Sequence, residues 1–163
     1  WSRSLGWYAM AMVDVLEIVP AEHPKTQWLK ARFKKFIDAT LAYQHNTGTW
    51  YQVTDLGSRK GNYLEASGTA MLTYAMAKGA SLTLLPMEYK AYAEKGFAGI
   101  LDQMISVNPD TNVINLEKVC AVAGLGGNPY RDGSFDYYMS EPIRANDAKG
   151  VGPFILAAHY LNK

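Results

Sequence analysis

The 163-residue sequence has a single cysteine, which cannot close an internal disulfide, so packing and polar contacts must hold the chain together. Cys120 lies in the apolar run Val119-Cys120-Ala121-Val122, where a buried, unreactive thiol is expected. Excess charge is also missing. Sixteen Lys and Arg against 15 Asp and Glu give a net charge of +1. No block of like charges marks a basic surface, so neither nucleic acid nor an anionic membrane is expected as a partner. Apolar runs break at Asp, Glu, Lys or Gly before the roughly 18 residues a membrane span requires. The glycine-rich stretch Gly124 to Gly133 lacks the spacing of a dinucleotide or phosphate cradle, and nothing calls for a cofactor or a metal. No signal peptide or initiator Met precedes Trp1, which leaves cytoplasm and periplasm both open. The length suffices for one domain with a substantial core.

What the chain does have is an opening stretch, Trp1 to Val19, that is apolar or small on nearly every side. Such a helix has to be wrapped by other protein, with a narrow stripe at Asp14 and Glu17 left to face water. Trp1, Arg3 and Trp7 crowd its open end. An arginine forks onto a carboxylate and an indole covers the flat face of a sugar ring, so the trio suits an anionic carbohydrate. Core aromatics beside a surface arginine would give the same residues.

Pro20 and Pro24 end this first helix. Thr26 is the expected N-cap of an amphipathic outer helix over Gln27 to His45, with Leu29, Phe33, Phe36, Ile37 and Leu41 on its apolar face. Asn46 to Ser67 is a connection long enough to be functional, and Trp50, Tyr51 and Tyr63 argue for order. Its end delivers Tyr63, Glu65 and Ser67 to the mouth of a second inner helix, Gly68 to Ala80. There Ser67 is also a natural N-cap, and Glu65 suits the positive end of the helix dipole. A second outer helix follows Glu88 and carries its apolar face as far as Ile105. Val113 to Ala123 reads as a short strand or hairpin, and Tyr137-Tyr138 as a helical turn. The last inner helix is expected at Phe154 to Leu161, with Pro153 in its first turn and His159 inside the core.

Thr26 and Glu88 open the outer helices and Gly6 and Gly68 the inner ones, at the same interval in each pair. Inner-outer hairpins that repeat in this way stack around a centre. The expected class is all-α: a partial (α/α)6 toroid, about half of a six-hairpin barrel, with a long irregular or short-strand insertion before the last helix. Residues 1–163 would then be one incomplete domain, the C-terminal half of such a barrel, with bare apolar flanks that call for the missing N-terminal half or a second copy of the chain.

Several motifs in register sharpen this expectation. They are Trp1-x-Arg3-x-x-Gly6-Trp7-Tyr8-Ala9-Met10-Ala11, Gly48-x-Trp50-x-Gln52-Val53-x-Asp55, Gly61-Asn62-Tyr63-x-Glu65-x-Ser67 and Cys120-x-x-Ala123-Gly124-Leu125-Gly126, then Tyr130-Arg131-Asp132-Gly133-Ser134 and Asp147-x-Lys149-Gly150-Val151-Gly152-Pro153-Phe154. Together they resemble the unsaturated rhamnogalacturonyl hydrolases, glycoside hydrolase family 105.

The resemblance implies an (α/α)6 barrel acting on pectin-derived, rhamnogalacturonan-type oligosaccharides that end in a 4,5-unsaturated uronic acid. In that family an aspartic acid protonates the vinyl-ether double bond and assists the addition of water, and the resulting hemiketal opens to release the neighbouring sugar. By this resemblance Trp1, Arg3 and Trp7 contact sugar, with Arg3 on the uronate or a ring hydroxyl. Tyr63, Glu65, Ser67, Lys149 and Gly150 line the rim of the pocket. The family's proton-donating aspartate lies N-terminal to the Trp-x-Arg stretch, so no catalytic acid is assigned within these residues and the chain alone is expected to be inactive. Ser4-Leu5 replaces the Gly-Asn of some members, which leaves substrate preference open. The competing class is a non-catalytic glycan-binding or assembly module on a half-toroid scaffold.

Overall fold

Glycine decides where the inner helices of this fold meet. α1 (Ser2–Ile18) brings Gly6 onto the side chain of Met71 in α3 (Ala66–Ser81), and a Cβ at Gly6 would stand 2.5 Å from that of Met71. Gly68 meets Ser2 in the same way. The chain passes between them through α2 (Thr26–Leu41) and leaves α3 through α4 (Tyr89–Met104). The computed structural model describes residues 1–163. After α4 come β1 (Ile105–Val107), β2 (Ile114–Leu116), β3 (Val119–Cys120), α5 (Phe135–Ser140), β4 (Ile143–Arg144) and α6 (Ala148–Leu161).

The protein is mostly helical. α3 is its axis: every residue from Ala66 to Ala80 is buried, and α1, α4 and α6 pack around it. Arg3 beside Ser67, and Lys78 beside both Asp14 and Tyr160, show that α1, α3 and α6 run in the same direction. Their first turns form one end of the molecule, called the mouth below. Phe33 and Ile37 of α2, Tyr89 and Ala93 of α4 and the apolar faces of α1 and α3 make the main core, while Ile100, Met104, Leu116 and Val119 make a smaller one under the insertion.

Several local expectations change. Thr26 is not a cap: Lys25 holds that position, and the Thr26 hydroxyl donates to the Pro20 carbonyl, tying the turn shut. α2 ends at Leu41, short of His45, whose ring sits 2.9 Å from the Thr47 hydroxyl. Ile105 leaves the helix for β1, which pairs antiparallel with β2, and β3 pairs with β4, so the insertion carries two small sheets. α6 begins at Ala148, well before Phe154. Asp147 caps it by accepting from the Lys149 N–H, and Pro153 lies inside the helix instead of in its first turn. The 46–67 connection is ordered as expected, with Trp50 fully buried and its indole N–H donating to the Thr40 carbonyl.

α1 and α6 are not wrapped on all sides. The exposed residues of α1 include Ser4, Trp7, Tyr8, Ala11, Val15 and Ile18 along one stripe, and those of α6 are Ala148, Gly152, Ile155, Leu156 and His159 along another. Such spacing is a single face of each helix.

At the end opposite the mouth, Lys78 bolts the three parallel helices together. Its ammonium is buried, 2.7 Å from Asp14 Oδ1 and 2.7 Å from Glu17 Oε2, and it lies over the rings of Tyr74 and Tyr160. Tyr74 donates to Asp14 at 2.6 Å. Burial works to lower the Lys78 pKa, but the bonds to Asp14 and Glu17 outweigh it and hold it above the ordinary lysine value. The hydrogen bond from Lys78 holds Glu17 below the usual carboxylate range. Burial pushes the Tyr74 phenol up to about 12.

Lys78→Met keeps most of the buried stem and removes the charge. Asp14 and Glu17 are 43% and 42% exposed and rehydrate in part, so the expected loss is about 1–3 kcal/mol at neutral pH, below that of a sealed pair. Glu17, lowered on folding, contributes stability that is complete above its unfolded value of about 4.3 and is lost as pH falls through the folded value. Lys78, raised, keeps its contribution below about 10.4 and loses it only as pH rises through its higher folded value. Urea denaturation should therefore show a steady gap between wild type and Lys78→Met across neutral pH that narrows in acid.

Candidate functional site

The mouth is built on one carboxylate. Glu65 precedes α3 in extended conformation and caps it, accepting from the Gly68 N–H at 2.6 Å. Ser67, expected as the cap, sits inside the first turn with its hydroxyl 2.7 and 2.9 Å from the two Glu65 oxygens. Across from it, Arg3 in the first turn of α1 donates from Nε to Ser67 Oγ at 2.7 Å, and from Nη2 to Glu65 Oε1 at 3.5 Å and to the Cys120 carbonyl. The Cys120 N–H in β3 closes the circle onto Glu65 Oε1 at 3.0 Å. Arg3 is 2% exposed, and Glu65 and Ser67 are fully buried. Charges this deep persist only when paired and hydrogen-bonded; both Glu65 oxygens accept, and Arg3 donates from Nε and Nη2.

The structure thus brings Arg3, Glu65 and Ser67 together. They form the floor beneath the mouth, and their polar atoms face one another instead of an open rim. Trp1 lies above them. Its ring stacks on Tyr138 of α5 at 5.8 Å and 29°, and the Arg3 guanidinium lies 5.8 Å from its centroid. Its indole N–H is buried with no partner. Tyr137, beside Tyr138 at 5.2 Å, accepts from the Gly124 N–H and anchors the glycine-rich loop. Trp7 is separate from this group: it is 47% exposed on the outward stripe of α1 and pairs with none of these rings.

Tyr63 stands at the edge of the floor. Its hydroxyl is buried without a partner, as are both ends of the fully buried Gln52 amide. Burial, reinforced by Cys120 and Glu65, raises the Tyr63 pKa far above the ordinary phenol value, and burial also raises that of the Cys120 thiol. The Tyr63 phenol is therefore held in its neutral form. Lys149 reaches back to Asp147 at 2.8 Å. Burial opposes ionisation of Asp147, but the bonds from Lys149 and the nearby charge of Arg3 hold its pKa below the usual range. Gly150 is placed by packing: a Cβ there would stand 2.8 Å from Val119 Cγ2, so only glycine lets α6 sit against β3.

Tyr138 and Asp147 carry no expected role beyond a helical turn and a place in a motif. An aspartate just before a helix that opens with Ala148-Lys149 is a legible cap signal. The stacking of Tyr138 on Trp1 joins opposite ends of the chain, and no local pattern announces it.

The chain is similar to known proteins. The model of Glycosyl Hydrolase Family 88 matches residues 1–163. The chain is 46% identical to a glycoside hydrolase from family 105 of C. acetobutylicum ATCC 824 and superposes with a TM-score of 0.95, covering 99% of this chain and 45% of that one. Protein Atu3128 of Agrobacterium fabrum (strain C58 / ATCC 33970) is 40% identical over 96% of this chain and 69% of its own length. The unsaturated 3S-rhamnoglycuronyl hydrolase of Alteromonas sp. (strain LOR) is 26% identical over 97% of this chain and 34% of its own length. The chain thus spans less than half of the solved C. acetobutylicum protein.

Glu65→Gln leaves the buried Arg3 without an anion and turns two acceptor oxygens into one. The expected loss is about 3–5 kcal/mol. Adding Arg3→Met should recover part of it, because the orphaned charge goes too. Urea titrations of the two single variants and the double variant measure both effects.

Proposed function

The chain belongs to Glycosyl Hydrolase Family 88, and from that membership we propose that it forms the C-terminal half of an (α/α)6 barrel. We propose that this barrel releases a terminal 4,5-unsaturated uronic acid from rhamnogalacturonan-type oligosaccharides. The observation that carries the proposal is the Trp1 cluster: an indole whose centroid lies 5.8 Å from the Tyr138 ring and 5.8 Å from the Arg3 guanidinium at the shared mouth of three parallel helices, where Asp147 and Lys149 open α6. A flat aromatic face with cations beside it fits the apolar face and the carboxylate of a uronyl ring.

In this reaction a carboxylic acid gives its proton to the vinyl-ether double bond and water adds to the resulting cation. The hemiketal then opens and frees the neighbouring sugar. The acid comes from outside these 163 residues. Trp1 and Tyr138 supply the aromatic wall, Lys149 is the cation still accessible to the uronate, and Tyr63 is a neutral donor at the edge of the floor. Arg3, Glu65 and Ser67 act from beneath by fixing where Trp1 stands.

The similarity to the C. acetobutylicum protein allows a direct test, in which this chain replaces the matching segment of that enzyme. The hybrid should consume an unsaturated rhamnogalacturonyl disaccharide, followed by loss of the absorbance of the double bond. The 163-residue chain alone should not. In the hybrid, Trp1→Ala should lower kcat/KM by about tenfold or more, the order expected when one aromatic contact is removed. A folded hybrid that binds the sugar without consuming it would favour the glycan-binding module instead.

A further inference from the structure

Tyr138 stands on a helix that neither core cluster holds. None of the six residues of α5 is buried, so its seat depends on a few contacts made by its side chains. Two of them are already described: Tyr137 accepts from the Gly124 N–H, and Tyr138 stacks on Trp1. A third joins α5 to the 46–67 connection. Phe135 and Met139, four residues apart and so on one face of the helix, meet Arg59 and Gly61. The Arg59 guanidinium lies 4.0 Å from the centre of the Phe135 ring, its Nη2 donates to Asp136 Oδ1 at 3.4 Å, and a Cβ at Gly61 would stand 4.0 Å from Met139 Cγ.

Arg59 is itself held in place. Its N–H donates to the Leu56 carbonyl at 2.9 Å, its carbonyl accepts from the Asn62 N–H at 3.1 Å, and the Asn62 side-chain amide donates to the Val53 and Leu56 carbonyls at 2.8 and 2.9 Å. Behind this turn the Gln52 N–H donates to the Tyr63 carbonyl and the Glu65 N–H to the Trp50 carbonyl. The turn is therefore the tip of a narrow backbone ladder that ends on the buried carboxylate of Glu65. A guanidinium carried on such an arm covers the ring with its flat face and reaches the carboxylate with its edge, a division of contacts that an ammonium cannot make.

We infer that Arg59 is a positioning residue for the aromatic wall: it seats α5 through Phe135 and Asp136, and α5 in turn holds Tyr138 against Trp1. Arg59 is 50% and Asp136 89% exposed, so each contact is weak alone, but a helix with no buried residue has little stability beyond them. A ligand that needs the seated helix binds with an affinity reduced by the fraction of molecules that hold it seated. The inference rests on the hydrolase reading for the sugar; the seating of α5 stands on the contacts alone.

The test uses the hybrid enzyme. Arg59→Met keeps a long side chain and removes the charge. Losing the ring contact and the exposed ion pair should raise KM for the unsaturated disaccharide by about three- to tenfold, with kcat kept within about twofold. Arg59→Lys, which meets the ring or the carboxylate but not both, should recover part of the loss. Amide hydrogen exchange over residues 135–140 should quicken in Arg59→Met while α3 stays protected. Lys78→Met, which loses its contacts at the opposite end, should move neither KM nor the exchange of α5. Unchanged exchange in α5, faster exchange without a rise in KM, or faster exchange shared by α3 would each overturn the inference. A hybrid that consumes no disaccharide overturns the hydrolase reading alone, and the exchange of α5 then still decides whether Arg59 seats it.

Discussion

The mouth depends on keeping one carboxylate ionised where water cannot reach it. Transferring an isolated carboxylate to a low-dielectric interior is prohibitive, and a single counter-ion seldom offsets the cost. Glu65 avoids this by collecting the Arg3 guanidinium, the Ser67 hydroxyl and the backbone N–H groups of Gly68 and Cys120. Those donors come from α1, from α3 and from β3, so satisfying one side chain fixes three separate pieces of chain. Arg3 is then also in place beneath Trp1, and Cys120, paired with Ile143, carries the insertion that supplies Tyr138.

α3 shows the same economy at its other end with the charges exchanged. Glu65 at its start is an anion ringed by donors, and Lys78 near its last turn is a cation ringed by acceptors and aromatic faces. Each suits the helix dipole, negative charge at the N-terminus and positive at the C-terminus. Along the helix, glycines allow the closest approaches, with Gly6 against Met71 and Gly79 against Phe33 and Leu85. A helix buried on every side has no solvated face to mark its rotation. Ionic ends that accept only one set of partners supply that specification, and close-packed glycines resist sliding.

Much of this was legible in the residues. The near-absence of charge in Gly68 to Ala80 marked a buried helix, and the periodic apolar residues of α2 and α4 marked covering ones. The motif that placed Arg3, Glu65 and Ser67 at one mouth gathered residues that do meet. What could not be read was the depth at which they meet, because sequence reports residue type while burial follows from what stacks on top. Arg3 reads as a sugar contact or as a surface cation, and nothing near it in sequence announces Glu65 or the Cys120 carbonyl. At Gly150 the sequence does not announce that Val119 leaves no room for a side chain. Thr26 and Ser67 match cap chemistry, but Lys25 and Glu65 hold the positions, Glu65 with its own carboxylate accepting from the Gly68 N–H.

The two edges of the helix row show the opposite strategy to its centre. An ionic bolt such as Glu65 or Lys78 demands one partner in one geometry and becomes costly when that partner is absent. A face that could be left unmatched even briefly cannot afford one. The stripes of α1 and α6 are accordingly built from Trp, Tyr, Val, Ile, Leu, Ala and Gly, with Ser4 and His159 as their polar members. Exposed apolar area costs less than a stranded buried charge. The central contacts fix how α1, α3 and α6 are held against one another, and the exposed stripes of α1 and α6 take no part in them.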